Sequence, residues 1–233
     1  MIYLVLPSSF LEARVQFSFH PKAGEERLVV EGELYTHLYK SRRTKNTKTL
    51  AFRNLEDEYL YLYSQESIGR KEAILQLKES LHKPILSKNQ AHIILSIIDS
   101  KTIQKLLPFL NELGVRKLTL FYSEYSQRNE KIELDKFNKI LINSSQQCGR
   151  SNILELEFCT TLQEVLMLYP QVGVFDFGGE KMCKTSLPIL IGSEGGFSPK
   201  EREILKDFPK YSTQEELILK SESACVYVAS KLL

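Results

Sequence analysis

The chain has 233 residues, 31 Lys or Arg against 29 Asp or Glu, a formal net charge of +2 and 42% hydrophobic residues. That suits a globular fold of one large or two modest domains and excludes a polyelectrolyte tail or a disordered chain. No apolar run approaches the roughly 18 residues of a membrane span. Met1 to Pro7 lacks the basic flank and apolar core of a signal peptide, so no membrane partner and a cytoplasmic location are expected.

Residues 1 to about 70 read as β-structure. Arg27 to Val30, Thr49 to Phe52 and Tyr59 to Tyr63 are short segments rich in β-branched or aromatic residues, separated by polar turns, as in a small barrel or sandwich. No acidic residue falls between Leu34 and Leu55, whereas Lys40, Arg42, Arg43, Lys45, Lys48 and Arg53 do. With His37, Tyr39 and Phe52 interleaved, this window suits a nucleic-acid backbone and stacked bases; the plainer reading is a solvated basic loop. The polar, charged stretch from Ser67 to Lys88, which includes Pro84, reads as connecting chain, part of it able to form strand. The expected domains are therefore 1–70 and 89–233, joined by a linker over 71–88.

From Ala91 the period changes. Ala91 to Ile98 is an apolar strand, and Ile103, Leu106, Leu107, Leu110 and Leu113 recur at helical spacing until Gly114 offers a C-terminal cap. Pro108 inside that helix should kink it or mark a late start. Strands follow at Lys117 to Tyr122, Ile153 to Phe158, Val172 to Phe177, Leu187 to Ile191 and Glu216 to Leu219. Helical spacing covers Lys131 to Gln147, Thr160 to Leu168 and Ser221 to Leu233. The expected fold class is α/β, a mainly parallel sheet with helices on both faces behind an N-terminal β-domain.

Chemistry concentrates in three loops that follow predicted strands: Phe177-Gly178-Gly179-Glu180, Gly192-Ser193-Glu194-Gly195-Gly196, and Leu219-Lys220-Ser221-Glu222-Ser223. The second runs into Ser198-Pro199-Lys200-Glu201, a capping box with proline at the first helical position. No G-x-G-x-x-G and no G-x-x-x-x-G-K-[ST] occurs, which removes the Rossmann and Walker phosphate sites. If the parent strands are neighbours, the loops converge on one pocket able to clasp a polar, planar nucleoside through backbone groups. Ser221 would cap the last helix, with Glu222 in its first turn. Gln147-Cys148-Gly149-Arg150 ends an earlier helix, with Gly149 its cap and Arg150 a guanidinium for phosphate or base. Cys148, Cys159, Cys183 and Cys225 contain no C-x-x-C, and His20, His37, His82 and His92 no i, i+4 pair, so no metal is expected.

Ile191-Gly192-Ser193-Glu194-Gly195-Gly196-Phe197-Ser198 resembles the I-G-P-E-G-G-[LF]-S of the RsmE family of 16S ribosomal RNA uracil-N3 methyltransferases, in the SPOUT superfamily. Gln147-Cys148-Gly149-Arg150 is similar to its E-Q-x-G-R, Glu112-Leu113-Gly114-Val115 to its E-L-G-V, and His37-Leu38 with Arg42-Arg43 to its H-L-x-x-V-L-R. The resemblance implies a PUA-like β-barrel for RNA, a SPOUT domain with a parallel sheet and a trefoil knot, and a homodimer. It also implies an S-adenosylmethionine pocket touched by Phe177, Gly178, Ile191, Gly192, Gly195, Gly196, Ile218, Leu219 and Ser221. RNA contacts fall on His37, Lys40, Arg42, Arg43, Lys45 and Lys48, and catalytic roles on Arg150, Glu194 and Glu222. The chain departs from the family pattern at Ser193 (proline), Gln146 (acid), Phe109 (lysine), Glu215 (glycine), Leu217 and Lys220 (both arginine). Backbone contacts survive such changes; side-chain roles of the arginines do not.

The expected activity is methylation of N3 of a uridine in the 3′-terminal decoding region of 16S rRNA, within the small ribosomal subunit. The rivals are a non-catalytic RNA-binding or ribosome-assembly module of the same fold, and a SPOUT methyltransferase acting on another RNA.

Overall fold

A computed structural model describes residues 17–45, 47–88, 90–127 and 132–233. The signal-peptide reading of Met1 to Pro7 and the helix start at Lys131 lie outside the described residues. The described residues divide into two compact units, those up to 86 with 145–152, and those of 87–144 with 153–233.

The first unit is a curled five-stranded sheet built from β1 (Ser18–Phe19), β2 (Arg27–Glu31), β3 (Leu50–Arg53), β4 (Tyr59–Ile68) and β5 (Glu72–His82), in the order β1-β3-β4-β5-β2. The stretch read as connecting chain, part of it able to form strand, carries an eleven-residue strand. Ala73 and Leu75 alternate with more exposed neighbours along it and pack into the core with Leu28, Val30, Phe52 and Tyr63. Period-2 burial decides the conformation, and a charged outer face only looks like connecting chain. Between β2 and β3 lie the short helix α1 (Gly32–Tyr35) and a π-helical turn, Thr36–Ser41.

The second unit carries β6 (His92–Ser96), α2 (Ser100–Glu112), β7 (Lys117–Phe121), α3 (Leu134–Cys148, its last turn in the first unit), β8 (Glu155–Cys159) and α4 (Leu162–Leu168). β9 (Gly173–Lys181), β10 (Ile189–Ile191), α5 (Pro199–Ile204), β11 (Lys210–Ser212) and α6 (Ser221–Leu232) complete it. All six strands are parallel, in the order β11-β9-β10-β6-β7-β8. Successive residues of the central strands enter different cores: Ile93, Leu95, Leu118, Leu120, Ile189 and Ile191 pack with α2 and α6, and Ile94, Val174 and Leu190 with α4. Both faces are covered, which is why these strands read as continuous apolar runs.

A late start of α2 and one expected strand are not found. α2 starts at Ser100 with Asp99 accepting from the Thr102 N–H, and runs through Pro108 without a late start. Packing of Ile103, Leu106, Leu107 and Leu110 at zero to 2% exposure holds the helix despite the missing donor. The expected strand Glu216 to Leu219 is irregular chain, and the edge strand is Lys210–Ser212. Leu217 and Ile218 are 80% and 76% exposed, so that apolar run has no sheet to bury it. Gly114, at φ +76°, is the expected helix terminator.

A polar cluster links the starts of β6 and β7 to β8 and to the end of α4. Glu157 accepts from Lys117 Nζ (2.7 Å), Thr119 Oγ1 (2.7 Å) and Tyr169 Oη (2.6 Å), while His92 Nε2 meets Thr119 Oγ1 at 2.8 Å. Burial, reinforced by the Lys117 ammonium, pushes His92 down to about 4. A histidine held neutral in the fold but not in the unfolded chain adds stability that is fully present above its ordinary pKa of about 6.5 and is lost as pH falls toward 4. Wild type should therefore lose about 2 kcal/mol more than His92→Gln between pH 6.5 and 4.5. Urea denaturation midpoints across that range check this, and parallel curves for the two proteins would refute it.

Candidate active site

In open parallel sheets ligands collect beyond the carboxyl ends of the strands. Here β9 and β10 are neighbours and β11 flanks β9, so the chain leaving all three reaches one place. A cavity of about 400 Å³ lies there, within the size range of small-molecule sites. Its wall is made by Phe175 to Gly179, by Ile191 to Glu194 with Gly196 and Phe197, and by Ser212 to Leu219 with Ser221 and Ala224.

The middle loop is fixed by its own sequence. Ser198 Oγ accepts from the Glu201 N–H (3.1 Å) and Glu201 Oε2 from the Ser198 N–H (2.9 Å), closing the expected capping box with Pro199 in the first turn of α5. Glu201 is 4% exposed, and its second oxygen accepts from the Glu124 N–H at 3.0 Å, tying this turn to the chain after β7. Gly196 sits at φ +70°, and its N–H donates to the Ser193 carbonyl at 2.8 Å. A Cβ on Gly192 would lie 2.9 Å from the Gly196 backbone, so the two glycines touch across the turn and neither has a side chain that could yield.

The first loop is joined to this turn by an ion pair. Asp176, on the cavity wall, receives both Arg202 Nε (2.9 Å) and a terminal Arg202 nitrogen (3.1 Å). Its side chain is only 9% exposed. Sequence reasoning missed this pair. Asp176 stands one residue before the predicted loop, but a charged residue four into a helix carries no signal that it reaches back to another strand.

Of the expected cofactor contacts, Phe177, Gly178, Ile191, Gly192, Gly196, Ile218, Leu219 and Ser221 line the cavity. Gly195 does not: a Cβ there would meet the Tyr125 ring at 3.1 Å, on another side of the turn. Ser221 is the first residue of α6 rather than its cap; Lys220 holds the cap position without a side-chain bond. Glu194 is on the wall, whereas Glu222 lies in the first turn of α6 outside it. The wall carries four carboxylates, Asp176, Glu194, Glu215 and Glu216, and among the described residues no lysine or arginine.

Arg150 belongs to the first unit. It is 6% exposed, its Nε donates to Asn152 Oδ1 at 2.7 Å, and burial lowers its pKa. Gly149 before it is at φ +87°, with its N–H on the Ser145 carbonyl at 2.8 Å, the expected cap of α3. In the same unit His37, Lys40, Arg42, Arg43, Lys45 and Lys48 are all exposed, on and just after the π-helical turn. Their backbone is held. Gln65 Nε2 donates to the carbonyls of Lys45 and Lys48, both at 2.7 Å, and the Thr44 N–H to that of Leu38. None of the six takes part in an ion pair among the described residues.

The family model of an RNA methyltransferase domain matches residues 86–233. The ribosomal RNA small subunit methyltransferase E of Helicobacter pylori strain 26695 is 47% identical over 222 residues, covering 93% of this chain and 98% of that protein. The enzyme of the same name from Aquifex aeolicus is 24% identical over 228 residues, again 93% and 98%. Among solved structures, a Legionella pneumophila methyltransferase in complex with SAM superposes with a TM-score of 0.77 at 21% identity, covering 94% and 97% of the two chains. The Neisseria gonorrhoeae ribosomal RNA small subunit methyltransferase E bound to S-adenosyl methionine gives 0.75 at 16%, covering 92% and 94%. With a glycine-lined cavity at the carboxyl ends of its parallel strands and 47% identity to the Helicobacter protein over nearly the whole of both chains, this chain belongs to the ribosomal RNA small subunit methyltransferase E family.

Proposed function

We propose that the protein transfers a methyl group from S-adenosylmethionine to N3 of one uridine in the 3′-terminal decoding region of 16S rRNA, within the small ribosomal subunit. The observation that carries this reading is the convergence of three strand-end loops on one glycine-lined cavity, in a chain 47% identical to a small-subunit rRNA methyltransferase.

The residues present fit the cofactor. Gly192 and Gly196 let the middle loop close tightly on itself at the cavity wall, where a Cβ on Gly192 would strike the Gly196 backbone, and at Gly178, at φ +73°, the space where a Cβ would lie is open. Phe177, Ile191, Ile218 and Leu219 offer apolar surface, while backbone groups and the Ser221 hydroxyl can bond the polar edges of an adenosine. When bound, S-adenosylmethionine supplies an electrophilic methyl on a sulfonium.

The chain's own residues do the rest by placement. N3 of uracil bears a proton on the pairing edge, so the base has to be unpaired and presented to the cavity. With the cofactor bound, the wall residues would hold the base close to the transferable methyl, and that placement would supply much of the acceleration. Of the two glutamates that the sequence singles out, Glu194 is on the wall and Glu222 off it, so Glu194 is assigned to take the N3 proton on a side-chain oxygen. The first unit is assigned as the PUA-like RNA-binding domain, the loops at the cavity as a trefoil-knotted chain path, and the active form as a cytoplasmic homodimer whose site draws on both subunits.

Mass spectrometry of 16S rRNA from a strain lacking the gene tests the assignment. Loss of N3-methyluridine, restored by the gene, is expected, and its retention would refute the substrate. Arg150 is assigned to the RNA side as a positioning residue: at 6% exposure, with its Nε on Asn152, it acts through the loop after α3 and not by touching RNA itself. Arg150→Ala should lower methylation at least about tenfold, the scale of one lost charged hydrogen bond, with S-adenosylmethionine affinity within about twofold of wild type. Equal loss of both, measured by calorimetry alongside methyl transfer, would move Arg150 out of RNA recognition.

A further inference from the structure

The cavity wall is electrostatically one-sided. Asp176 is neutralised by Arg202, whose Nε and terminal nitrogen both reach it, but Glu194, Glu215 and Glu216 are exposed wall residues with no ion-pair partner among the described residues. The opposing contributions are small. Lys220, next to Ser221, is not part of the wall, and the N-terminus of α6 adds a dipole equivalent to roughly half a positive charge. Three carboxylates against the Lys220 ammonium and half a unit still leave the cavity negative. Nothing in folding the unit requires this, since all three side chains face solvent.

We propose that Glu194, Glu215 and Glu216 make this cavity select the cationic form of its ligand, holding S-adenosylmethionine more tightly than S-adenosylhomocysteine. This rests on the cofactor reading given above. The two molecules share adenosine, ribose and amino-acid parts and differ by one methyl and one permanent positive charge, a sulfonium against a neutral thioether. A wall acting only through shape and hydrogen bonds treats their common parts alike. A negative wall separates them, because a cation within several ångströms of each carboxylate gains energy that a neutral thioether does not. The consequence for the reaction is release of the product once the charge has gone, with weak product inhibition. Glu215, standing where the family pattern has glycine, makes part of this selectivity a property of this chain.

The test is calorimetry with S-adenosylmethionine and S-adenosylhomocysteine on the full-length protein, at ~50 mM and ~500 mM salt. Wild type and a Glu194→Gln, Glu215→Gln, Glu216→Gln triple variant are compared. Three exposed carboxylates in a high-dielectric site are worth about three- to tenfold in affinity for one cation at low salt, and much less at a Debye length of ~4 Å. The triple variant should therefore lose about three- to tenfold in affinity for S-adenosylmethionine at low salt, with S-adenosylhomocysteine moving less than about twofold. At high salt the gap between the proteins should close. An unchanged ratio of the two affinities, or equal weakening of both ligands, would overturn the proposal. Wild-type protein binding neither ligand would instead remove the cofactor reading of the cavity, and the selectivity with it.

Discussion

Gly192→Val should abolish binding of S-adenosylmethionine, weakening it by more than about a hundredfold, while the protein still folds. A Cβ at 192 would sit 2.9 Å from both Cα and C of Gly196, closer than real Cβ contacts come, and the obstacle is backbone. Gly196 cannot move aside cheaply either. It is at φ +70°, its N–H is bonded to the Ser193 carbonyl, and α5 begins three residues later with its capping box closed. The turn must open, and the cavity wall it forms opens with it. Gly195→Ala is the internal control. There the new methyl meets the ring of Tyr125, a side chain half exposed and able to swing outward, so its effect on affinity should stay within about threefold, the size of a few tenths of a kcal/mol of local repacking. Calorimetry on the two variants, with circular dichroism to establish folding, decides the matter. Normal affinity in Gly192→Val would detach this turn from the cofactor.

The second large effect concerns the basic turn of the first unit. Replacing Lys40, Arg42, Arg43 and Lys45 together by serine should weaken binding of an rRNA fragment by about a hundredfold at 150 mM salt and lower the salt slope by about 3, because each lost phosphate contact releases ~0.7 fewer counterions on a single strand. The four side chains are exposed and make no ion pair among the described residues, so little folded-state energy depends on them. The loop keeps its shape through Gln65 and Thr44, whose bonds run to backbone carbonyls and survive the change. S-adenosylmethionine affinity should be unaltered. Fluorescence anisotropy against salt concentration reads the slope, and an unchanged slope would show that RNA is held elsewhere.

How far the sequence carried depended on which physical signal each segment contained. The capping box at Ser198, the glycine terminator at 114 and the buried stripe of the last helix are local codes, and each is where the residues say. The central strands were legible because a sheet covered on both faces needs uninterrupted apolar runs. The same rule misled at Leu217-Ile218-Leu219, an apolar run that lines a cavity instead of filling a core. It was weak in the opposite sense at Glu72 to His82, where a polar outer face blurred strand into connecting chain. In the site, glycine spacing located the loops but not the direction of each missing Cβ, so Gly195 was grouped with Gly192. The Asp176–Arg202 pair joins residues 26 apart and depends on which strand lies beside which, information that appears only when the sheet is assembled.

The strand order has a kinetic consequence. β10 lies between β9 and β6, so Ile189 pairs with Ile93 on one side and with Gly173 on the other. The middle of the sheet is therefore completed by one of the later segments of the chain, and until it arrives β6 and β9 each offer an unsatisfied edge. Loop-closure entropy has to be met before that contact contributes anything. Refolding from denaturant should accordingly show a slow phase that tracks insertion of residues 189–191, and a nascent chain halted before them would hold an open seam at the centre of its sheet, where unpaired edges invite aggregation.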